Sequence, residues 1–237
     1  MIKKPSPEGA PDLAGKGYRD RLLRIYELLY AQFGSQHWWP GEDPFEVIVG
    51  AILAQNTSWK NVEKAIIHLK GAGALFPEGI ATLSLPKLAE LIRPSGTYRV
   101  KADRLLQFVA FFKGHYGFSL EAMFRVPLPR IRAELLSVKG IGPETADSIL
   151  LYAGGYPIFV VDSYTKRIFS RHGFVREGCG YGELQALFMK ALPPDVTLFN
   201  EYHALIVWLG KSRCRTRPIC EDCVLQSLLE KTRNLGR

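Results

Sequence analysis

Leu135-Leu136-Ser137-Val138-Lys139-Gly140-Ile141-Gly142-Pro143-Glu144-Thr145-Ala146 and, further along, Val160-Val161-Asp162-Ser163 decide how this chain is read. Two apolar helical segments flank Gly140-Ile141-Gly142. Glycine accepts the positive φ and the close backbone approach that a tight hairpin between helices needs. Pro143 suits the first turn of the second helix, where its missing N–H costs nothing. The free N–H groups at that helix start suit an anion such as a phosphate. A grip of this kind holds a backbone and reads no bases. Asp162 follows the short apolar run Ile158-Phe159-Val160-Val161 and precedes helical spacing at Tyr164, Ile168 and Phe169. One reading is a helix N-cap, a role Asp fills well. The other is a carboxylate held at a fixed distance from a phosphate-gripping hairpin, where it can face a sugar. The two are compatible.

The rest of the chain sets the bounds. At 237 residues it can bury a good core in one domain or in two closely joined lobes. Hydrophobic residues are 47% and charged residues 23%, a globular balance rather than a disordered one. Lys+Arg 31 against Asp+Glu 23 leaves a net +8, which favours a polyanionic partner. No apolar run approaches the roughly 18 residues that span a bilayer, so no membrane role is expected. Met1-Ile2-Lys3-Lys4-Pro5-Ser6-Pro7 lacks the apolar core of a signal peptide. The expected location is cytoplasmic, where four cysteines serve as metal ligands or free thiols rather than disulfides.

Residues 1–16 read as a flexible tail. Leu22, Leu23, Ile25, Tyr26, Leu29 and Phe33 recur at helical spacing. Gln36-His37-Trp38-Trp39-Pro40-Gly41 cannot be helical throughout. Its two tryptophans either plug the core beneath a loop or wall a pocket for a planar ring. An apolar helix from Pro44 to Ala54 ends in Gln55-Asn56-Thr57-Ser58, and a second starts at Trp59. Trp59 falls one helical turn from Gln55, on the same face, and is either buried core or a stacking platform. In the amphipathic helix Tyr98–Tyr116, Lys101 and Arg104 are placed outward on a solvated face. Strand signals are scarce, and the chain reads as all-α.

Val138 to Ala146 followed by Val161-Asp162-Ser163-Tyr164 resembles the helix-hairpin-helix and Gly/Pro…Asp signature of the endonuclease III superfamily of DNA glycosylases, from about residue 20 onward. The resemblance implies a two-lobed helix-hairpin-helix fold: a six-helix barrel at about 37–154 ending in the hairpin, and a second lobe of 17–36 with 155–237. It implies a monomer acting on double-stranded DNA with a damaged base, which is flipped out and cut at its N-glycosidic bond. Asp162 matches the catalytic carboxylate, and Gln55 the wedge that fills the gap left by the base. Gly140, Gly142, Lys139 and Glu144 would form the DNA-binding hairpin with Gln55, the glycines and Lys139 meeting phosphate. Glu144 stands where bifunctional members carry the lysine that forms a Schiff base, which implies a glycosylase without lyase activity. Trp38-Trp39-Pro40 with Trp59 resembles the 3-methyladenine DNA glycosylase III branch, whose aromatic pocket suits an alkylated purine. The alternatives are a bifunctional glycosylase/lyase for oxidised pyrimidines and a non-catalytic DNA-binding module.

Cys214, Cys220 and Cys223 are spaced C-x5-C-x2-C. Many relatives close with a four-cysteine loop, C-x6-C-x2-C-x5-C, around a [4Fe–4S] cluster. Here the first gap is one residue short and Leu229 takes the fourth place. A cubane cluster takes four thiolates and a structural zinc four ligands. Either Cys179, His203 or Asp222 completes the set, or the cysteines are simple buried thiols. Lys211, Arg213, Arg215 and Arg217 of the loop could contact phosphate in both cases.

Overall fold

A computed structural model describes residues 16–39 and 41–228. Among them there is no β-strand, and twelve α-helices carry the fold. They are α1 Lys16–Phe33, α2 Pro44–Leu53, α3 Trp59–Gly71, α4 Pro77–Thr82, α5 Leu85–Leu91, α6 Tyr98–Tyr116, α7 Leu120–Phe124, α8 Leu128–Ser137, α9 Pro143–Ser148, α10 Ser163–Arg171, α11 Tyr181–Ala191 and α12 Val196–Ser212. A π turn, Ile149–Ala153, continues α9. The tail expected at 1–16 lies outside the described residues up to residue 15, and Lys16 already opens α1. Contacts divide the chain into two compact units.

The first unit holds Ser35–Asp162 and Asp195–Ala204. Its axis is α2, buried from Phe45 to Leu53. Asp43 caps it by accepting from Phe45 N (2.8 Å) and Glu46 N (3.0 Å), with Pro44 in the first turn. Its C-terminal end is closed by a lysine. Lys101 Nζ donates to Leu53 O (2.8 Å) and Ser95 O (2.5 Å), and the side chain is 1% exposed. The outward placement read from the α6 periodicity is therefore overturned for Lys101. Carbonyls left over at a helix end need donors, and a buried ammonium supplies them. Burial, with Arg104 nearby, pulls its pKa down to about 8.

The hairpin lies in the same unit. Arg132 of α8 forks onto Asp147 of α9 (2.7 and 3.1 Å), whose side chain is fully buried. Gly140 has φ +89, a conformation reserved for glycine, whereas Gly142 sits at an ordinary −93. The apolar run Ile158–Val161 forms no ladder. Phe159 packs edge-on against Phe199 (5.4 Å) and Tyr202 (5.8 Å), which seats the first half of α12 in this unit.

Among the described residues, the second unit holds 16–34, Ser163–Pro194 and 205–228. Leu22, Ile25 and Leu29 of α1 are buried, with Phe169 of α10 and Phe188 of α11 ring to ring at 4.8 Å. Gly210 lets α12 pass close to α10: a Cβ there would come within 2.4 Å of the Tyr164 ring.

Candidate active site

Four aromatic residues of the first unit form one continuous wall. Trp38, Trp39 and Trp59 are all half-buried. Their ring centroids lie 5.5 Å (Trp38–Trp39), 6.0 Å (Trp38–Trp59) and 4.8 Å (Trp39–Trp59) apart, and the last pair meets edge to face. Both Trp39 and Trp59 press on the backbone of α2 at Gly50, where a Cβ would stand 3.3 Å from one and 3.5 Å from the other. The Trp59 indole N–H is buried with no hydrogen-bond partner in the protein. Pro40, expected in the same wall, lies outside the described residues. Trp59 opens α3 and does not share a helix with Gln55. Asn56, at φ +52, turns the chain between α2 and α3.

Tyr152, from the π turn, extends the wall: its ring lies 4.9 Å from Trp39. Its hydroxyl is hydrogen-bonded to His203 Nδ1 of α12. His203 Nε2 in turn stands 3.7 Å from Asp162 Oδ2, with side chains 7% and 12% exposed. Burial, then the Asp162 carboxylate, push the Tyr152 phenol well above its ordinary pKa, so it stays neutral. Glu144, exposed in the first turn of α9, acts on the same phenol in the same direction. Asp162 immediately precedes α10, the position of an N-cap.

Gln55 and the hairpin form a second constellation in this unit. Gln55 Nε2 donates to Gly140 O (3.2 Å) and Thr145 Oγ1 (2.9 Å), and its Oε1 accepts from Arg104 Nη1. Arg104 thus points inward, onto the turn after α2, and not to solvent as its periodicity suggested. Lys139 is exposed at the hairpin tip, 3.8 Å from Asp103. Sequence reasoning did not single out Tyr152, placed Arg104 on a solvated face, and weighed His203 only as a metal ligand. Tyr152 sits in an apolar run that reads as core, so no local signal distinguished it.

The cysteine loop belongs to the second unit. Cys214, Cys220 and Cys223 line a cavity of about 260 Å³ with Arg171, His172, Leu209, Pro218 and Ile219. Cys179 is buried elsewhere and does not line it. Three thiols fall one short of the four thiolates of a cubane cluster. Among the described residues no group of three or more His, Cys, Asp or Glu side chains is placed to hold a metal ion. The residues therefore do not fit a four-cysteine cluster. Arginines close the loop instead. Arg167 donates to Cys214 O (2.7 Å) and Gly210 O (3.0 Å), and Arg171 to Cys214 Sγ (3.2 Å), Arg215 O (2.7 Å) and Thr216 O (2.9 Å).

Residues 49–194 match the profile of the HhH-GPD superfamily of base excision DNA repair proteins. The chain belongs to that superfamily. It is a DNA glycosylase of the HhH-GPD type. A candidate DNA repair glycosylase of Methanocaldococcus jannaschii is 47% identical over 209 residues, covering 87% of this chain and 94% of the relative. Endonuclease III of Thermotoga maritima is 31% identical over 196 residues, 82% and 86% of the two chains. The crystal structure of H. pylori 3-methyladenine DNA glycosylase (MagIII) bound to 1,N6-ethenoadenine is similar at a TM-score of 0.71 and 31% identity, over 82% of this chain and 97% of that one. No helix among the described residues is long and apolar enough to cross a membrane.

Proposed function

We propose that this HhH-GPD glycosylase is monofunctional and removes an alkylated purine such as 3-methyladenine from double-stranded DNA. The observation that carries the reading is the wall of three half-buried tryptophans joined through Tyr152 and His203 to Asp162. An electron-poor, cationic base gains both stacking and cation–π attraction from uncharged indoles. The 31% identity to a 3-methyladenine glycosylase, bound to another modified adenine, supports the same substrate class.

On this reading Gly140, Gly142 and Lys139 hold the strand by its backbone, and the damaged base leaves the stack. Gln55 fills the gap, trading its bonds to Gly140 O and Thr145 Oγ1 for bonds to DNA. The C1′–N bond breaks and the base departs with the electron pair. Asp162 stabilises the cationic sugar and orients a water, whose oxygen bonds to C1′ and whose proton passes to the departing base or to solvent. The products are a free base and an intact abasic site. A second covalent route needs an uncharged amine, and Glu144 offers a carboxylate in its place.

The test is an excision screen on duplexes that each carry one defined lesion. We expect release of alkylated purines, strand breaks only after added alkali, and no adduct trapped by borohydride. Efficient excision of oxidised pyrimidines with a trapped adduct, lost on replacing one lysine, would move the enzyme to the bifunctional class.

A further inference from the structure

We propose that His203 is a positioning residue: oriented by Tyr152, it presents an Nε2–H donor to Asp162 and holds that carboxylate in its working rotamer. The inference rests on the reading of Asp162 as the catalytic carboxylate. The geometry supplies the argument. Tyr152 lies within hydrogen-bond reach of His203 Nδ1, and His203 Nε2 lies 3.7 Å from Asp162 Oδ2. The buried phenol stays protonated, and in the proposed arrangement it gives that proton to Nδ1. A neutral imidazole that accepts at Nδ1 must carry its proton on Nε2. A doubly protonated imidazole carries one there as well. In both states a proton faces the carboxylate, and only the Nδ1–H tautomer, which Tyr152 disfavours, would turn a lone pair towards it.

Packing fixes the partners. His203 is carried on α12, anchored by Phe199 and Tyr202 against Phe159, three residues before Asp162. Tyr152 is held between His203 and Trp39. The same tyrosine thus touches the aromatic wall on one side and sets the imidazole on the other. A base pressing on Trp39 is coupled to the carboxylate through two side chains.

The first measurement needs no substrate. Imidazole ¹⁵N resonances of the whole protein should show His203 protonated on Nε2, with Tyr152→Phe admitting the other tautomer. An Nδ1–H tautomer in the unaltered protein overturns the proposal. The second is single-turnover excision at saturating enzyme, with affinity for abasic-site DNA measured alongside. A carboxylate out of place by an ångström costs roughly 10²-fold. His203→Ala should lose on that order in rate with affinity unchanged, and His203→Gln, whose amide still donates, should recover most of it. The Tyr152→Phe loss should vanish in the His203→Ala background, because Tyr152 acts through the imidazole. Additive losses, or equal rates for the Ala and Gln variants, overturn the proposal. Asp162→Asn separates the failures: full excision by that variant sinks the catalytic reading itself, whereas an inactive Asp162→Asn protein beside a fully active His203→Ala protein sinks only this one.

Discussion

Replacing Gly140 by alanine should damage the hairpin twice over. At φ +89 an L-residue is strained, and a left-handed conformation costs about 1–2 kcal/mol per residue. The new Cβ would also stand 2.3 Å from Arg104 Cγ and 2.8 Å from its Cδ, so the arginine must swing away. Arg104 is the donor that holds Gln55 Oε1, and a hydrogen bond from a charged group contributes roughly 1.5–3 kcal/mol. Together the loss is about 2.5–5 kcal/mol, a fall of roughly 5–20 °C in Tm at this chain length. Gly142 is the control. A Cβ there meets nothing within 4 Å, and its φ is ordinary. Gly142→Ala should melt with the unaltered protein yet bind duplex DNA more weakly, because only an approaching phosphate would feel the methyl. Thermal melts and fluorescence anisotropy on an undamaged duplex measure both. A Gly140→Ala protein that melts like the unaltered one refutes the account of Arg104, and a Gly142→Ala affinity equal to the parent's refutes close approach at that residue.

Three further outcomes follow from the geometry. Trp59→Ala should lose about 1–3 kcal/mol of base stacking, visible in excision more than in binding of undamaged DNA. Trp59→Phe keeps a ring but removes the unpartnered N–H, so a rate between the other two would assign that donor a role. Lys101 has its folded pKa lowered to about 8 against an ordinary 10.5, so the unfolded chain binds more protons between those values. Its contribution to stability therefore rises with pH across that window. Denaturant midpoints of Lys101→Met should lack this rise, and parallel pH curves for the two proteins would contradict it. Elemental analysis should find less than four irons per chain, and a brown protein absorbing near 400 nm with a full complement would show that a fourth ligand has been missed.

The hairpin, the helical class and the place of Asp162 were legible because each rests on local signals: paired glycines before a proline, 3.6-residue periodicity, a carboxylate ahead of a helix. What could not be read was which polar residue turns inward. Lys101 and Arg104 lie on the polar stripe of α6, and periodicity sends them both to solvent. Their actual partners, Leu53 O and Gln55, lie about 48 residues upstream and come within reach only when α2 is docked. Tyr152 was hidden for the same reason, inside an apolar run whose neighbours Leu150 and Leu151 are core. The short helices α4 and α7, of six and five residues, are too brief to show a period.

The π turn after α9 carries a consequence for how this protein could have arisen and could be altered. A π turn is an α-helix with one residue inserted, and each residue rotates a helix by about 100°. The residues before it, Pro143–Ser148, keep their register with the hairpin, while Tyr152, near its end, is turned by that extra step to meet Trp39 and His203. Deleting one residue between 149 and 151 would restore a plain helix and swing the phenol away without touching Gly140, Gly142 or the Arg132–Asp147 fork. On the proposed reading, strand grip and the alignment of the carboxylate would be separable by a single-codon event on one helix.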